Sequence, residues 1–205
     1  IYSDSGTITA ASSQINVGSD TGIGIYAKNN TNILNNSLNM NIGNNSYGAV
    51  LENNSEIMNN SSATLGNKSI FIYASQNSKI INNAAVSSNG ESNIGLYSVN
   101  GGIIENNAAI VMDTGSGNIG IYDEGGEIKN TGVIKTGDSI ISRDPVTGKL
   151  IKENSRYSIG IYGDNSKIDN SGNLEIGENA VGIYAKNNTE IVKNPRPNPL
   201  TKKKI

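Results

Sequence analysis

Short apolar alternations separated by Asn- and Gly-rich punctuation recur along the whole chain. The clearest unit is Ile23-Gly24-Ile25-Tyr26. It returns as Ile94-Gly95-Leu96-Tyr97, Ile119-Gly120-Ile121-Tyr122, Ile159-Gly160-Ile161-Tyr162 and Val181-Gly182-Ile183-Tyr184, with Ile70-Phe71-Ile72-Tyr73 bulkier and Gly48-Ala49-Val50-Leu51 weaker. The positions Tyr2, Tyr26, Val50, Tyr73, Tyr97, Tyr122, Tyr162 and Tyr184 follow one another at intervals of 24, 24, 23, 24, 25, 40 and 22 in the numbering. A second apolar column follows each by six or seven residues: Ile8, Ile33, Ile57, Ile80, Ile103, Ile128, Ile168 and Ile191. A fixed period in this range marks a stacked architecture.

One repeat shows how such a length closes into a turn. Alternation in Ile23-Gly24-Ile25-Tyr26 predicts a first strand with both Ile side chains on one face and Gly24 and Tyr26 on the other. Ala27-Lys28-Asn29-Asn30 predicts a corner, Ile33 a short second strand, Asn35-Asn36 another corner, and Leu38, Met40 and Ile42 a third strand. Three strands and three corners make a triangular coil, and the chain holds roughly eight such coils of about 24 residues. The doublets Asn35-Asn36, Asn59-Asn60, Asn82-Asn83 and Asn106-Asn107, with Asn130, Asn170 and Asn194 as single counterparts, predict an amide ladder between coils, stacked about 4.8 Å apart. Asn also tolerates the left-handed backbone of a sharp corner. The position before each second-strand Ile reads Asn32, Glu56, Lys79, Gly102, Glu127, Lys167 and Glu190, so charged neighbours differ in sign, as adjacent strands favour.

One interval breaks step: Tyr122 to Tyr162 exceeds the usual spacing by 40 − 24 = 16 positions. Within 137–158, an Asp144-Pro145…Gly148 turn flanked by β-prone arms predicts a protruding hairpin. Its charge density exceeds the 17% of the chain, and insertions on rigid solenoids commonly carry recognition. Arg143, Asp144, Lys149, Lys152 and Arg156 are therefore the candidate ligand contacts; solvated charges on a tolerated loop are the alternative. A second candidate is the outward Tyr ribbon, whose rings either meet a sugar or simply stiffen the solenoid. The best acidic pair for catalysis is Asp123 with Asp164, which follow tyrosines of neighbouring coils, yet both sit in turn sequence where Asp is expected for backbone reasons. Asn-x-Ser/Thr triplets such as Asn29-Asn30-Thr31, Asn67-Lys68-Ser69 and Asn187-Asn188-Thr189 are read as products of composition. Gly125-Gly126-Glu127 lacks the continuation of a calcium-binding repeat. After Asn194, Pro195, Pro197, Pro199 and Lys202-Lys203-Lys204 abandon the pattern, so the solenoid is expected over 1–194 and a non-repeat tail over 195–205.

Composition narrows the function classes. With 35% hydrophobic residues, one Phe and no Trp, the chain has a thin supply for one large core but enough for a narrow, repeated one. A net charge of −2 offers no basic field for nucleic acid. No Cys and no His remove disulfides, thiolate metal sites and the commonest general base, so neither metal nor cofactor is expected. No apolar run is long enough for a membrane helix. Opening inside a repeat and without Met, the chain is expected to be a segment of something longer.

The Gly-Ile-Gly-Ile-Tyr strand, the Tyr-x-x-Asn turns at Tyr26–Asn29, Tyr162–Asn165 and Tyr184–Asn187, and the trailing Ile-x-Asn-Asn resemble passenger repeats of large autotransporter adhesins of the fusobacterial type. That resemblance, over residues 1 to about 194, implies an all-β, right-handed parallel β-helix displayed outside a Gram-negative cell and exported through an outer-membrane barrel elsewhere in the protein. It further implies a monomeric, non-enzymatic scaffold or adhesin segment whose partner is a host or bacterial cell-surface protein or glycan. A polysaccharide lyase or glycosidase, and a purely structural spacer, are the alternatives.

Overall fold

The computed structural model describes residues 1–10, 13–35 and 38–193; Asn36, Asn194 and the predicted 195–205 tail lie outside the described residues. It is an all-β parallel solenoid of about eight turns. Equivalent positions of successive turns, such as Asn82 and Asn106, are about 24 residues apart. The first strands are Tyr47–Leu51, Ile70–Ala74, Ile94–Val99, Ile119–Glu124, Ile159–Asp164 and Val181–Lys186. The second strands are Glu56–Asn59, Lys79–Asn82, Ile103–Asn106, Glu127–Asn130, Lys167–Asn170 and Glu190–Lys193. In the two N-terminal coils, Tyr2–Ala10 and Ile23–Asn35 each run through the first corner unbroken, which joins first and second strands into one 14-stranded sheet. The third strands, Ser13–Val17, Leu38–Ile42, Ala63–Leu65, Val86–Ser88, Ile110–Met112, Ile134–Thr136 and Leu174–Ile176, form a 7-stranded sheet opposite.

The core is one apolar stack per sheet column. Ile25, Ala49, Ile72, Leu96, Ile121 and Ile161 pair in register and have no exposed surface. The second column consists of Ile33, Ile57, Ile80, Ile104, Ile128 and Ile168. Ile104 corrects the expected Ile103. Ile103 aligns with Lys79 and Glu127, so it also replaces Gly102 in the charge series. The corner at Asn100-Gly101 gives this coil the longer of the two offsets, and two adjacent Ile residues concealed the difference. Sign alternation persists: Lys167 meets Glu127 at 3.8 Å, while Lys79 reaches Glu105, a diagonal neighbour, at 2.9 Å.

The predicted face of the first strand is wrong by one residue. Ile23 is 48% exposed, whereas Gly24 and Ile25 are both buried and Tyr26 and Ala27 resume the alternation. Two consecutive inward residues break the pleat, and the ladder skips the Gly: Ile94 pairs with Ile119 and Leu96 with Ile121. The Gly faces inward because the third sheet fills the space there. A Cβ on Gly120 would lie 2.5 Å from Ile134 Cγ2 and 2.7 Å from the Gly160 carbonyl. Phe71 occupies the same position, fully buried, in a coil where the third sheet carries Ala63 and Ser88 in line with the larger Met40 and Leu65.

Every corner is closed by a buried polar column. At the second corner the predicted ladder is present. Asn35, Asn59, Asn82, Asn106 and Asn130 each pass an amide hydrogen to the side-chain carbonyl oxygen of the next, ending at Asn170, at 2.7–2.9 Å. The outer doublet members repeat this on the surface, with Asn107 donating to Asn83 and Asn83 to Asn60, both at 2.9 Å. The left-handed residues lie elsewhere than expected, at the first corner (Asn29, Asn30, Asn53, Asn54, Gln76, Asn77) and the third (Asn45, Lys68, Ser92). At the third corner, Ser46, Ser69, Asn93, Asn118 and Ser158 each accept an N–H from the coil before at 2.7–3.3 Å. At the first corner Thr31 N–H donates to Ser55 Oγ at 3.2 Å and Ser55 N–H to Ser78 Oγ at 3.1 Å. Such buried groups must be paired, because an unmade bond costs about 1–3 kcal/mol.

Candidate functional site

The long interval is an arm that leaves the third corner between Ser139 and Ser158. Ser158 keeps its place in the corner column: its Oγ accepts from Gly117 N–H at 3.0 Å and donates to Asp138 O at 3.0 Å, while its N–H donates to Ser139 Oγ at 2.9 Å. The excursion is therefore 140–157. Ile140 and Arg156 exchange two backbone hydrogen bonds of 2.9 Å at its base, and antiparallel bridging resumes at Arg143 and Leu150. A short 3₁₀ turn, Lys152–Asn154, widens the returning limb.

The five candidate contacts divide by what already holds them. Asp144 builds the tip: one carboxylate oxygen accepts from Val146 N–H at 3.0 Å, Thr147 N–H at 2.7 Å and the Thr147 hydroxyl at 2.8 Å. Those donors, Thr147 first, hold its carboxyl below the ordinary carboxylate value. Arg143 donates to the Gly148 carbonyl at 3.1 Å across the same turn. Arg156 forms an ion pair with Glu91, a partner that the sequence does not point to, and crosses the Gly115-Ser116-Gly117 corner to reach it. Lys149 and Lys152 are exposed, and their ammonium groups have no hydrogen-bond or ion-pair partner among the described residues.

Charge marks the arm in the sequence, but apolar residues distinguish it in the fold. Among the described residues, and leaving aside the two N-terminal coils and the C-terminal coil, the exposed large hydrophobic side chains are Ile140, Val146, Leu150 and Tyr157, all in the arm. Val146 at the tip is 90% exposed. Beneath the outgoing limb, Ile141, Arg143, Leu150, Tyr157 and Asn179 line a cleft of about 430 Å³. On the far side of Tyr157 a second cleft of about 480 Å³ is bounded by Ile159, Tyr162, Val181, Tyr184 and Lys186.

The tyrosines form the outward ribbon, interrupted at Val50, where Tyr47 swings in against Tyr73 with ring centroids 6.5 Å apart. Pairs are edge-to-face from Tyr73 to Tyr122, then parallel: Tyr122 and Tyr162 lie 4.2 Å apart at 8°, and Tyr162 and Tyr184 lie 5.4 Å apart at 8°. In the parallel stretch the ring faces are spent on one another, which leaves edges and hydroxyls outward. Burial, and then a 2.5 Å bond to Glu124, push the Tyr122 hydroxyl well above its ordinary value.

Asp123 and Asp164 do not converge. Asp164 pairs in register with Glu124 and Asp123 with Gly163. Asp123 is wholly buried at the first corner, where it replaces the hydroxyl that Gly126 lacks: its Oδ2 accepts from Gly126 N–H at 2.9 Å, and Ser98 donates to its other oxygen. Burial raises its pKa despite these bonds. Asp164 lies on the outer side, bound by Lys186 at 2.9 Å and by the Asn187 amide, which lower its pKa. Among the described residues no group of three acidic side chains is placed to hold a metal, and no helix is long and apolar enough to cross a membrane.

A family model described as the BigA third pectate lyase-like domain matches residues 1–195. No curated protein and no solved structure matches the chain.

Proposed function

The chain belongs to the BigA third pectate lyase-like domain family, and on that premise we propose that it is a shaft segment of a bacterial surface adhesin that holds the 140–157 arm out for contact with a partner. One observation carries this reading: away from its ends, the solenoid exposes large apolar side chains in the arm alone among the described residues. Exposed apolar surface concentrated on one protrusion of an otherwise polar body marks an interaction site. The shaft acts by presentation. It is the passenger of an autotransporter at the Gram-negative cell surface, monomeric, and its partner is a protein or glycan on a host or bacterial cell. Binding rather than turnover is the function, a reading supported by the separate structural duties of Asp123 and Asp164.

Excision of 140–157 with Ser139 joined to Ser158 tests this. Cell-surface binding by the intact chain that is lost on excision is the expected result. Binding that survives excision removes the arm from the function, and a chain that binds no cell or glycan surface is a spacer.

A further inference from the structure

The arm carries a strand edge with nothing on it. Antiparallel bonding alternates along 140–144: Ile140 bonds Arg156, Ser142 O accepts from Ile151 N–H at 2.8 Å, and Asp144 N–H donates to Lys149 O at 2.8 Å. Ile141 and Arg143, the residues between, therefore turn their N–H and C=O groups away from the returning limb. These groups have no hydrogen-bond partner among the described residues. The returning limb lies on the side of Glu91, to which Arg156 is tied, so the open edge faces the opposite way, toward Asn179. The next coil turns its corner there through Gly177-Glu178-Asn179-Ala180 without an excursion of its own. Beside the edge lies the cleft of about 430 Å³ lined by Ile141, Leu150 and Tyr157.

From this edge and its cleft we infer that the arm takes up an extended polypeptide segment of a partner protein by strand addition, main chain to Ile141 and Arg143 and alternate apolar side chains into the cleft. This rests on the adhesive reading above and names its ligand class. Strand addition takes affinity from backbone bonds and specificity from pockets for every second side chain, and both halves are present. Charge selects the sequence. The arm holds four cations (Arg143, Lys149, Lys152, Arg156) and two anions (Asp144, Glu153), a net +2, so the rest of the chain is −2 − 2 = −4. An acidic strand is drawn to the arm and repelled from the shaft. A saccharide has no run of N–H and C=O groups to match the edge.

The test uses the intact chain and a synthetic octapeptide of alternating Val and Glu, followed by residue-resolved amide exchange. Saturating peptide is expected to slow exchange at Ile141 and Arg143 at least tenfold. Arg143→Pro removes an outward N–H without touching a backbone bond of the hairpin and is expected to weaken the peptide at least tenfold, while Arg143→Ala, which loses the same side-chain bond to the Gly148 carbonyl but keeps the N–H, weakens it less. Slow exchange at Ile140 and Arg156 verifies that the proline variant keeps its arm. Binding with no change at Ile141 and Arg143, or equal binding of a peptide N-methylated at alternate residues, overturns the inference. So does failure to bind the peptide while arm-dependent cell binding persists, a result that leaves the adhesive reading standing. Cell binding indifferent to the arm removes both.

Discussion

Shaft and arm are built from the same residue types under opposite rules. In the shaft, apolar side chains point inward, and the buried corner groups, from the Asn ladder to the Ser46–Ser158 column, find partners in the next coil. In the arm, two bridges and one short turn hold the 140–157 segment, whose large apolar side chains Ile140, Val146, Leu150 and Tyr157 face water. The shaft repeats its contacts, so stability accumulates along the axis through nearest-neighbour terms. The arm stands outside that repeat, held by its own two bridges. On the proposed reading, stability and recognition fall to different residues, and substitutions should separate them.

The largest effect is expected inside the Asn column. Asn106→Ala strands the Asn82 amide, the Asn130 carbonyl oxygen and the Ala108 carbonyl together. With roughly 1–3 kcal/mol per abandoned group, softened by local relaxation, denaturant unfolding should register a loss of about 2–4 kcal/mol. A loss below about 0.5 kcal/mol would mean that the ladder is decoration. Gly120→Ala comes next: its Cβ meets a backbone carbonyl and a packed Ile134 methyl, and a cost of about 1–3 kcal/mol is expected by the same measurement.

Asp123 gives a smaller effect with a definite pH signature. Its pKa is raised in the folded state, so the folded chain holds the proton more tightly than the unfolded one. Stability from this group is complete below the unfolded value near 3.8 and is lost as pH rises from there through the raised folded value. Asp4, Asp144 and Asp164, whose pKa values are lowered, act in the opposite sense at lower pH, so the comparison is with Asp123→Asn. Melting temperature should fall less in Asp123→Asn than in the parent chain as pH rises through that window. Parallel curves would show that the Asp123 carboxyl is not desolvated. Least of all, Val146→Ser at the tip of the arm should change stability by under about 0.5 kcal/mol, as expected for a surface site without partners.

The period was legible in the sequence because each coil repeats one Ile per column, and the Asn ladder because its doublets keep that spacing. The inward Gly was not: alternation presumes a regular pleat, and only packing against the third sheet reveals why two successive residues turn in. The hydroxyl column was present and misread. Thr31, Ser55, Ser78, Ser166 and Thr189 each stand two residues before the second-strand Ile of their coil, a spacing that composition does not produce. The Asn-x-Ser/Thr triplets that begin at Asn29, Asn53 and Asn187 are that corner seen in one dimension: these left-handed Asn residues lead into hydroxyls that bond Lys28 O, Glu52 O and Lys186 O at 2.7 Å, whereas Asn67-Lys68-Ser69 belongs to the third corner. In the arm, charge drew attention because charges stand out in a sparse sequence. Yet Asp144, Arg143 and Arg156 are engaged within the fold, and the exposed Ile140, Leu150 and Tyr157 read like ordinary strand residues until their surroundings are known.

Native-state amide exchange on the intact chain and on the 140–157 excision tests the separation of shaft from arm most directly. Ile119, Ile121, Ile159 and Ile161, in the coils that flank the junction, should keep their protection within about threefold after excision, which corresponds to less than about 0.7 kcal/mol of local opening free energy. Collapse of protection in those coils would contradict it, because the arm would then be part of what holds the solenoid together.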